Sequence, residues 1–176
     1  EIGTVTPKEQ FGNKKPRIFR IEKENSLLNS LGFNNKGAAY VKKNLQALKK
    51  KDIVIGANIG PNKHTESNKR KEDYSYCFNE LADFVDYIVL NISSPNTPDL
   101  RDLHNIENLK EIIECILNEK EKIKYSGKIF LKLSPDEKKS KTEAVINLVN
   151  SMDIDGVIAS NTSDDSQLKS SLGVSQ

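Results

Sequence analysis

The chain has 176 residues, enough for one domain with its own hydrophobic core. Its 27 Lys and Arg nearly balance 25 Asp and Glu, and a net charge of +2 supplies no broad cationic field, which argues against nucleic acid as a partner. No apolar run reaches the ~18 residues of a membrane span, no signal or transit peptide is visible, and two cysteines without a C-x-x-C pair argue against a disulfide framework or zinc site.

In chain order, the first twenty residues, EIGTVTPKEQFGNKKPRIFR, are broken by Gly3, Pro7, Gly12 and Pro16. They predict a short strand or hairpin and then an extended loop. Residues 36–50 carry Ala38, Val41, Leu45 and Leu48 at helical spacing, with lysines on the other face. Apolar, β-rich runs then recur at 53–59, 87–92, 128–133 and 156–159, separated by helical patterns at 67–85, 105–124 and 141–152. Cys77 and Cys115 fall inside these helical patterns and read as reduced, buried thiols. The lysine-rich clusters at 49–51, 69–71 and 138–141 read as solvated faces and loops, and His64 and His104 as surface residues.

Strands alternating with helices indicate a parallel sheet with crossover helices, and almost continuously apolar strands indicate a sheet covered on both faces. The rhythm fits both a doubly wound sheet and a β/α barrel. Residues at the strand exits favour the barrel: Asn58, then Asn91 with Ser94 and Asn96, then Lys132, then Asn161, each too polar for a core. Barrels gather such groups from several different strands at one mouth, whereas open sheets bind at a single switch point. The fold class is therefore α/β, a partial (β/α)8 TIM barrel in one domain over residues 1–176, since a complete barrel takes ~250 residues and eight strands.

The motifs carry a resemblance. YIVLNISSPNTPDLR at 87–101 is similar to a signature of dihydroorotate dehydrogenases. GTVTP at 3–7, GNKKPRIFR at 12–20, LLNSLGFNNKG at 27–37, GANIGPNK at 56–63, KIFLKLSPD at 128–136 and IDGVIASNTS at 154–163 resemble further segments of that family, in the family's order. Serine at position 94, where the soluble class has cysteine, and the PRIFR segment ending at Arg20 resemble the membrane-associated, quinone-reducing class 2.

The resemblance implies oxidation of dihydroorotate to orotate with FMN as cofactor and a quinone as acceptor, in pyrimidine synthesis. It implies Ser94 as the base and Thr97 as its proton relay, since serine at neutral pH needs a group to carry its proton away. Asn29, Asn91, Asn96 and Asn161 are expected to orient substrate, because an amide both donates and accepts and so suits a ring alternating N–H and C=O. Thr4, Asn58, Asn91, Lys132 and Ser160 are expected at the flavin, and Arg20 and Phe33 near the quinone. Lys132 is the sharpest of these, a lysine inside the run IFLKL, where a compact positive charge would stabilise reduced flavin. No metal is expected.

A monomer at an inner membrane is the implied setting, mitochondrial or bacterial. The family's first barrel strand would precede Glu1 and its last strands would follow Gln176, so the chain on its own is expected to bind FMN poorly. A flavin barrel acting on another pyrimidine and an inactive remnant are the alternatives. The sequence departs from the family at Asp99, in place of a glycine, at Ser160, in place of threonine, and in the closing SLGVSQ.

Overall fold

The computed structural model describes residues 1–48, 52–93 and 106–171. Five short strands form its sheet: β1 (Ile2–Val5), β4 (Gly56–Ile59), β5 (Tyr87–Asn91), β6 (Lys128–Lys132) and β7 (Gly156–Ile158). A separate antiparallel hairpin joins β2 (Ile18–Ile21) to β3 (Ser26–Asn29). Helices α1 (Ala38–Ala47), α2 (Arg70–Leu81), α3 (Ile106–Ile123) and α4 (Lys139–Ser151) alternate with the later strands, and α5 (Ser166–Ser171) follows β7.

The sheet runs β1-β4-β5-β6-β7, with every neighbouring pair parallel. Each new strand is laid beside the one before it, always on the same side. A doubly wound sheet would reverse direction part-way; this order is that of a barrel wall.

Strand periodicity separates two faces. Ala57 and Ile59, Ile88 and Leu90, and Ile129 and Leu131 belong to the core that the helices cover with Tyr74, Phe78, Leu81, Leu109, Ile113 and Ile116. The alternate residues, Gly56 and Asn58, Tyr87 and Asn91, and Phe130 and Lys132, take the other parity and face the barrel interior. Low in that interior, the rings of Tyr87 and Phe130 meet edge to face at 5.7 Å, and a Cβ on Gly56 would run into the Tyr87 ring. Higher up the parity turns polar, and there the site begins.

The lower rim is built twice in the same way. Asp86, just before β5, accepts from the Ile55 N–H at 2.7 Å and returns its own N–H to the Ile55 carbonyl. Asp155, just before β7, does the same with Ile129, at 2.9 Å. Each carboxylate thus closes the start of one strand onto the strand before it.

Several expectations need correction. The apolar run 53–59 becomes a strand only from Gly56; Ile53 and Val54 are exposed, because the pairing with β5 starts at the Gly56–Tyr87 register. The opening segment forms β1 and then an extended stretch, but residues 18–21 pair with 26–29 through a turn closed by Asn25 at φ 46°. That hairpin lacks the Gly-containing turn that sequence reading looks for. Continuous burial holds for β4 and nearly for β5, while β6 alternates and β7 is partly exposed. Cys77 is buried as expected, but Cys115 is only half-buried on α3. In the basic cluster 69–71, Arg70 is buried and its Nε donates to the Thr65 carbonyl at 3.4 Å, so that cluster is not wholly a solvated face.

Candidate active site at the carboxyl ends of the strands

Four adjacent strands deliver one polar side chain each to the same end of the sheet. Thr4 comes from β1, Asn58 from β4, Asn91 from β5 and Lys132 from β6, and Asn161 follows β7. All five line one cavity of about 240 Å³. Asn91 and Lys132 are register partners, so they reach the mouth at the same height. The backbone beyond β7 is held there by the Asn161 N–H donating to the Leu133 carbonyl at 2.8 Å.

The side chains form a connected chain of hydrogen bonds. The Thr4 hydroxyl donates to Asn58 Oδ1 at 2.7 Å. Asn91 Nδ2 donates to that same Oδ1 at 3.1 Å and to Thr4 Oγ1 at 2.9 Å. Asn161 Nδ2 donates to Asn91 Oδ1 at 3.1 Å and to Ser93 Oγ at 3.2 Å. Asn58 and Asn91 are each 3% exposed, so their polar atoms need these partners. Burial also explains Tyr74 on α2: its hydroxyl donates to the Asn91 carbonyl at 2.7 Å, and the lack of water pushes its pKa well above the ordinary tyrosine value.

The charged groups of the cavity are few. Lys132 lies 3.9 Å from Glu1, whose Oε1 also accepts from Asn58 Nδ2 at 3.2 Å. Asn29, at the end of β3, and the loop residues Leu31, Gly32, Phe33 and Asn34 complete the wall. Phe33 holds a positive φ of 55°, following Gly32 at 67°. On the opposite side Gly3, at φ 120°, lets β1 pass against the Asn58 carbonyl, a place no Cβ could occupy.

Of the residues expected from sequence, Thr4, Asn29, Phe33, Asn58, Asn91, Lys132 and Asn161 converge here. Ser94, Asn96 and Thr97 lie outside the described residues. Ser160 is exposed, with its hydroxyl donating to the Asn161 carbonyl at 3.2 Å, and it does not line the cavity. Arg20 is exposed on the hairpin, also away from the lining. Sequence reading did not mark Glu1, Thr162, Ser93 or Tyr74 as site residues, and it named Gly3 only as a break in the opening segment. Gly3 and Thr162 sat inside quoted motifs, but nothing in the sequence marks Glu1 or Tyr74.

The family model for dihydroorotate dehydrogenase matches residues 1–174. The chain belongs to the dihydroorotate dehydrogenase family. Among curated dihydroorotate dehydrogenase (quinone) proteins, that of Legionella pneumophila (strain Corby) is 40% identical over 168 residues, 92% of this chain and 50% of the relative. The Christiangramia forsetii protein of the same name is 42% identical over 162 residues, covering 92% and 47%. A crystal structure of the Eimeria tenella dihydroorotate dehydrogenase in complex with ferulenol superposes with a TM-score of 0.87 at 32% identity, over 94% of this chain and 50% of that one. The chain therefore spans about half the length of the dihydroorotate dehydrogenases it matches. The relatives' quinone-linked name agrees with the class 2 features, Ser94 and the PRIFR segment. Among the described residues no helix is long and apolar enough to cross a membrane.

Proposed function

We propose that this chain forms the reacting mouth of a quinone-linked dihydroorotate dehydrogenase, which oxidises dihydroorotate to orotate in pyrimidine synthesis with FMN and passes the electrons to a quinone. One observation carries the reading: Asn58, Asn91 and Asn161, from well-separated parts of the chain, are hydrogen-bonded in series around one cavity that also holds Lys132.

The donor set fits a flavin ring lying against a pyrimidine. The asparagines offer both N–H donors and C=O acceptors, the pattern that both heterocycles present at their edges. Lys132 brings a positive charge that can balance negative charge on a reduced flavin. We assign the reacting edges of the two rings to this cavity of about 240 Å³. When bound, the flavin supplies the hydride acceptor.

The chain's own part is to bind, orient and deprotonate. Asn29, Asn91, Asn96 and Asn161 orient the substrate, while Thr4, Asn58, Asn91 and Lys132 hold the flavin edge. We assign the base to Ser94, which removes a carbon-bound proton, with Thr97 assisting its departure; such a base is worth ~10²–10⁴ in rate. Ser160, exposed beside Asn161, is kept only as a candidate for the outer flavin contacts. Phe33 and Arg20 are assigned to the quinone side. The exposed Ile18, Phe19 and Leu27 of the hairpin supply an apolar surface beside Arg20 that suits a lipophilic acceptor. Membrane association and a monomeric state belong to the same proposal.

The test uses the full-length protein that contains these residues. Under anaerobic conditions dihydroorotate should bleach the visible flavin absorption, and a quinone should restore it. Ser94→Ala should keep the flavin and lose most of the bleaching. A flavin-loaded protein whose spectrum dihydroorotate leaves untouched would reject the proposal.

A further inference from the structure

Among the described side chains that line the cavity, that of Glu1 is the one acid and that of Lys132 the one base; the others are neutral. The two are 3.9 Å apart, close enough to be an ion pair but beyond hydrogen-bonding distance. The same Glu1 oxygen takes a hydrogen bond from Asn58 Nδ2 at 3.2 Å. That bond completes Asn58: its Oδ1 already accepts from Thr4 and Asn91, leaving Nδ2 in need of an acceptor. The side chain of Glu1 is 29% exposed and that of Lys132 21%.

We infer that Glu1 is a positioning residue that sets the electrostatic potential of the cavity. Its carboxylate does so in two ways: it fixes the Asn58 amide with its oxygen turned towards Thr4 and Asn91, and it partly neutralises Lys132. The inference rests on the flavin-and-pyrimidine reading above and goes one step further, assigning a role to a residue that the motifs do not mark.

The physical consequence concerns anions. A ligand carrying negative charge into the mouth, whether an orotate carboxylate or a reduced flavin, is attracted by Lys132 and repelled by Glu1. The long Lys132–Glu1 separation leaves the ammonium with donors to spare, since a lysine has three and Glu1 fully engages none of them. Lys132 can therefore turn to an incoming anion without first breaking a short bond. The cost is the standing repulsion from Glu1, which keeps the product anion from binding too tightly. An elementary charge several ångströms away, at an effective dielectric of about 20, changes an anion's affinity by roughly tenfold or more.

Glu1→Gln separates charge from structure, because glutamine keeps an oxygen that can accept from Asn58. In the full-length protein, Glu1→Gln should tighten orotate roughly tenfold and raise the midpoint potential of bound flavin, since removing a negative charge favours the reduced form. Glu1→Asp, which keeps the charge, should return both quantities towards wild type. Neither readout depends on turnover, and a merely structural role would not move the potential in a fixed direction. A flavin-loaded wild type in which Glu1→Gln changes neither orotate affinity nor potential, or lowers the potential, overturns the role of Glu1 and leaves the family activity standing. A wild-type protein that takes up no flavin at all rejects the site reading and this inference together.

Discussion

Asn161 donates through Nδ2 to Oδ1 of Asn91 at 3.1 Å, tying the exit of β7 to the exit of β5 across the intervening β6. The bond spans 70 positions in sequence, and it exists because parallel strands laid side by side bring all their carboxyl ends to one rim. Asn91 is thereby held from three directions: by Asn161, by its own bonds to Asn58 and Thr4, and by Tyr74 at its carbonyl.

Removing the Asn161 amide should loosen ligand binding more than folding. Its side chain is only part-buried, and Asn91 Oδ1 keeps a second donor in the Ser93 N–H at 3.3 Å. In the full-length protein Asn161→Ala is expected to weaken orotate by about tenfold, the equivalent of ~1.4 kcal/mol, as measured by calorimetric titration. An unchanged affinity would show that Asn161 serves the rim and not the ligand.

Tyr74→Phe tests the support beneath the site. The Asn91 carbonyl would lose a buried donor with no water to replace it, a loss of about 1–3 kcal/mol in urea unfolding. The wild-type hydroxyl also carries a pH signature. Burial raises its folded pKa above the unfolded value, so its stabilisation is complete below the ordinary tyrosine range and is lost as pH rises beyond it. The phenylalanine variant should lack that part of the alkaline loss. Equal stability of the two proteins at neutral pH would mean that the carbonyl finds another donor.

Gly56→Ala tests packing at the foot of the barrel. The added methyl would collide with the Tyr87 ring, and overpacking of this kind costs about 1–3 kcal/mol. A smaller residue opposite should relieve it, so Gly56→Ala combined with Tyr87→Val should lose less than the sum of the two single changes in thermal unfolding. Strict additivity would argue that the ring can move aside freely.

Asp155→Asn tests the lower rim. Burial pushes the Asp155 carboxyl up, but the Lys128 ammonium at 2.7 Å and the Ile129 N–H outweigh it and hold the carboxyl below the ordinary aspartate value. A depressed carboxylate stabilises the fold above its unfolded value, and that stabilisation fades as pH falls through the folded one. Asparagine can still accept from Ile129, so the change at neutral pH should be small. The decline of stability below about pH 4 should become shallower than in wild type. An identical acid profile would show that Asp155 contributes nothing through its charge.

The sequence by itself determined the family, the strand–helix alternation and most of the cavity. Motif strings survive in linear order, and the period-2 pattern of each strand sends Asn58, Asn91 and Lys132 to the parity opposite the apolar residues. It also determined the barrel over the open sheet, through polar residues at every strand exit. The tertiary structure alone decided who touches whom. The β2–β3 hairpin depends on pairing across a turn without the usual glycine, so it left no local signal. The strand start at Gly56 depends on where β5 offers hydrogen bonds, and not on where the apolar run begins. Tyr74 and Glu1 look like an ordinary helix residue and an ordinary surface acid until the Asn91 carbonyl and Lys132 are set beside them. Hydrophobic periodicity reports which way a side chain faces; its partner across space is chosen by strand order and register, which appear only once the chain has folded.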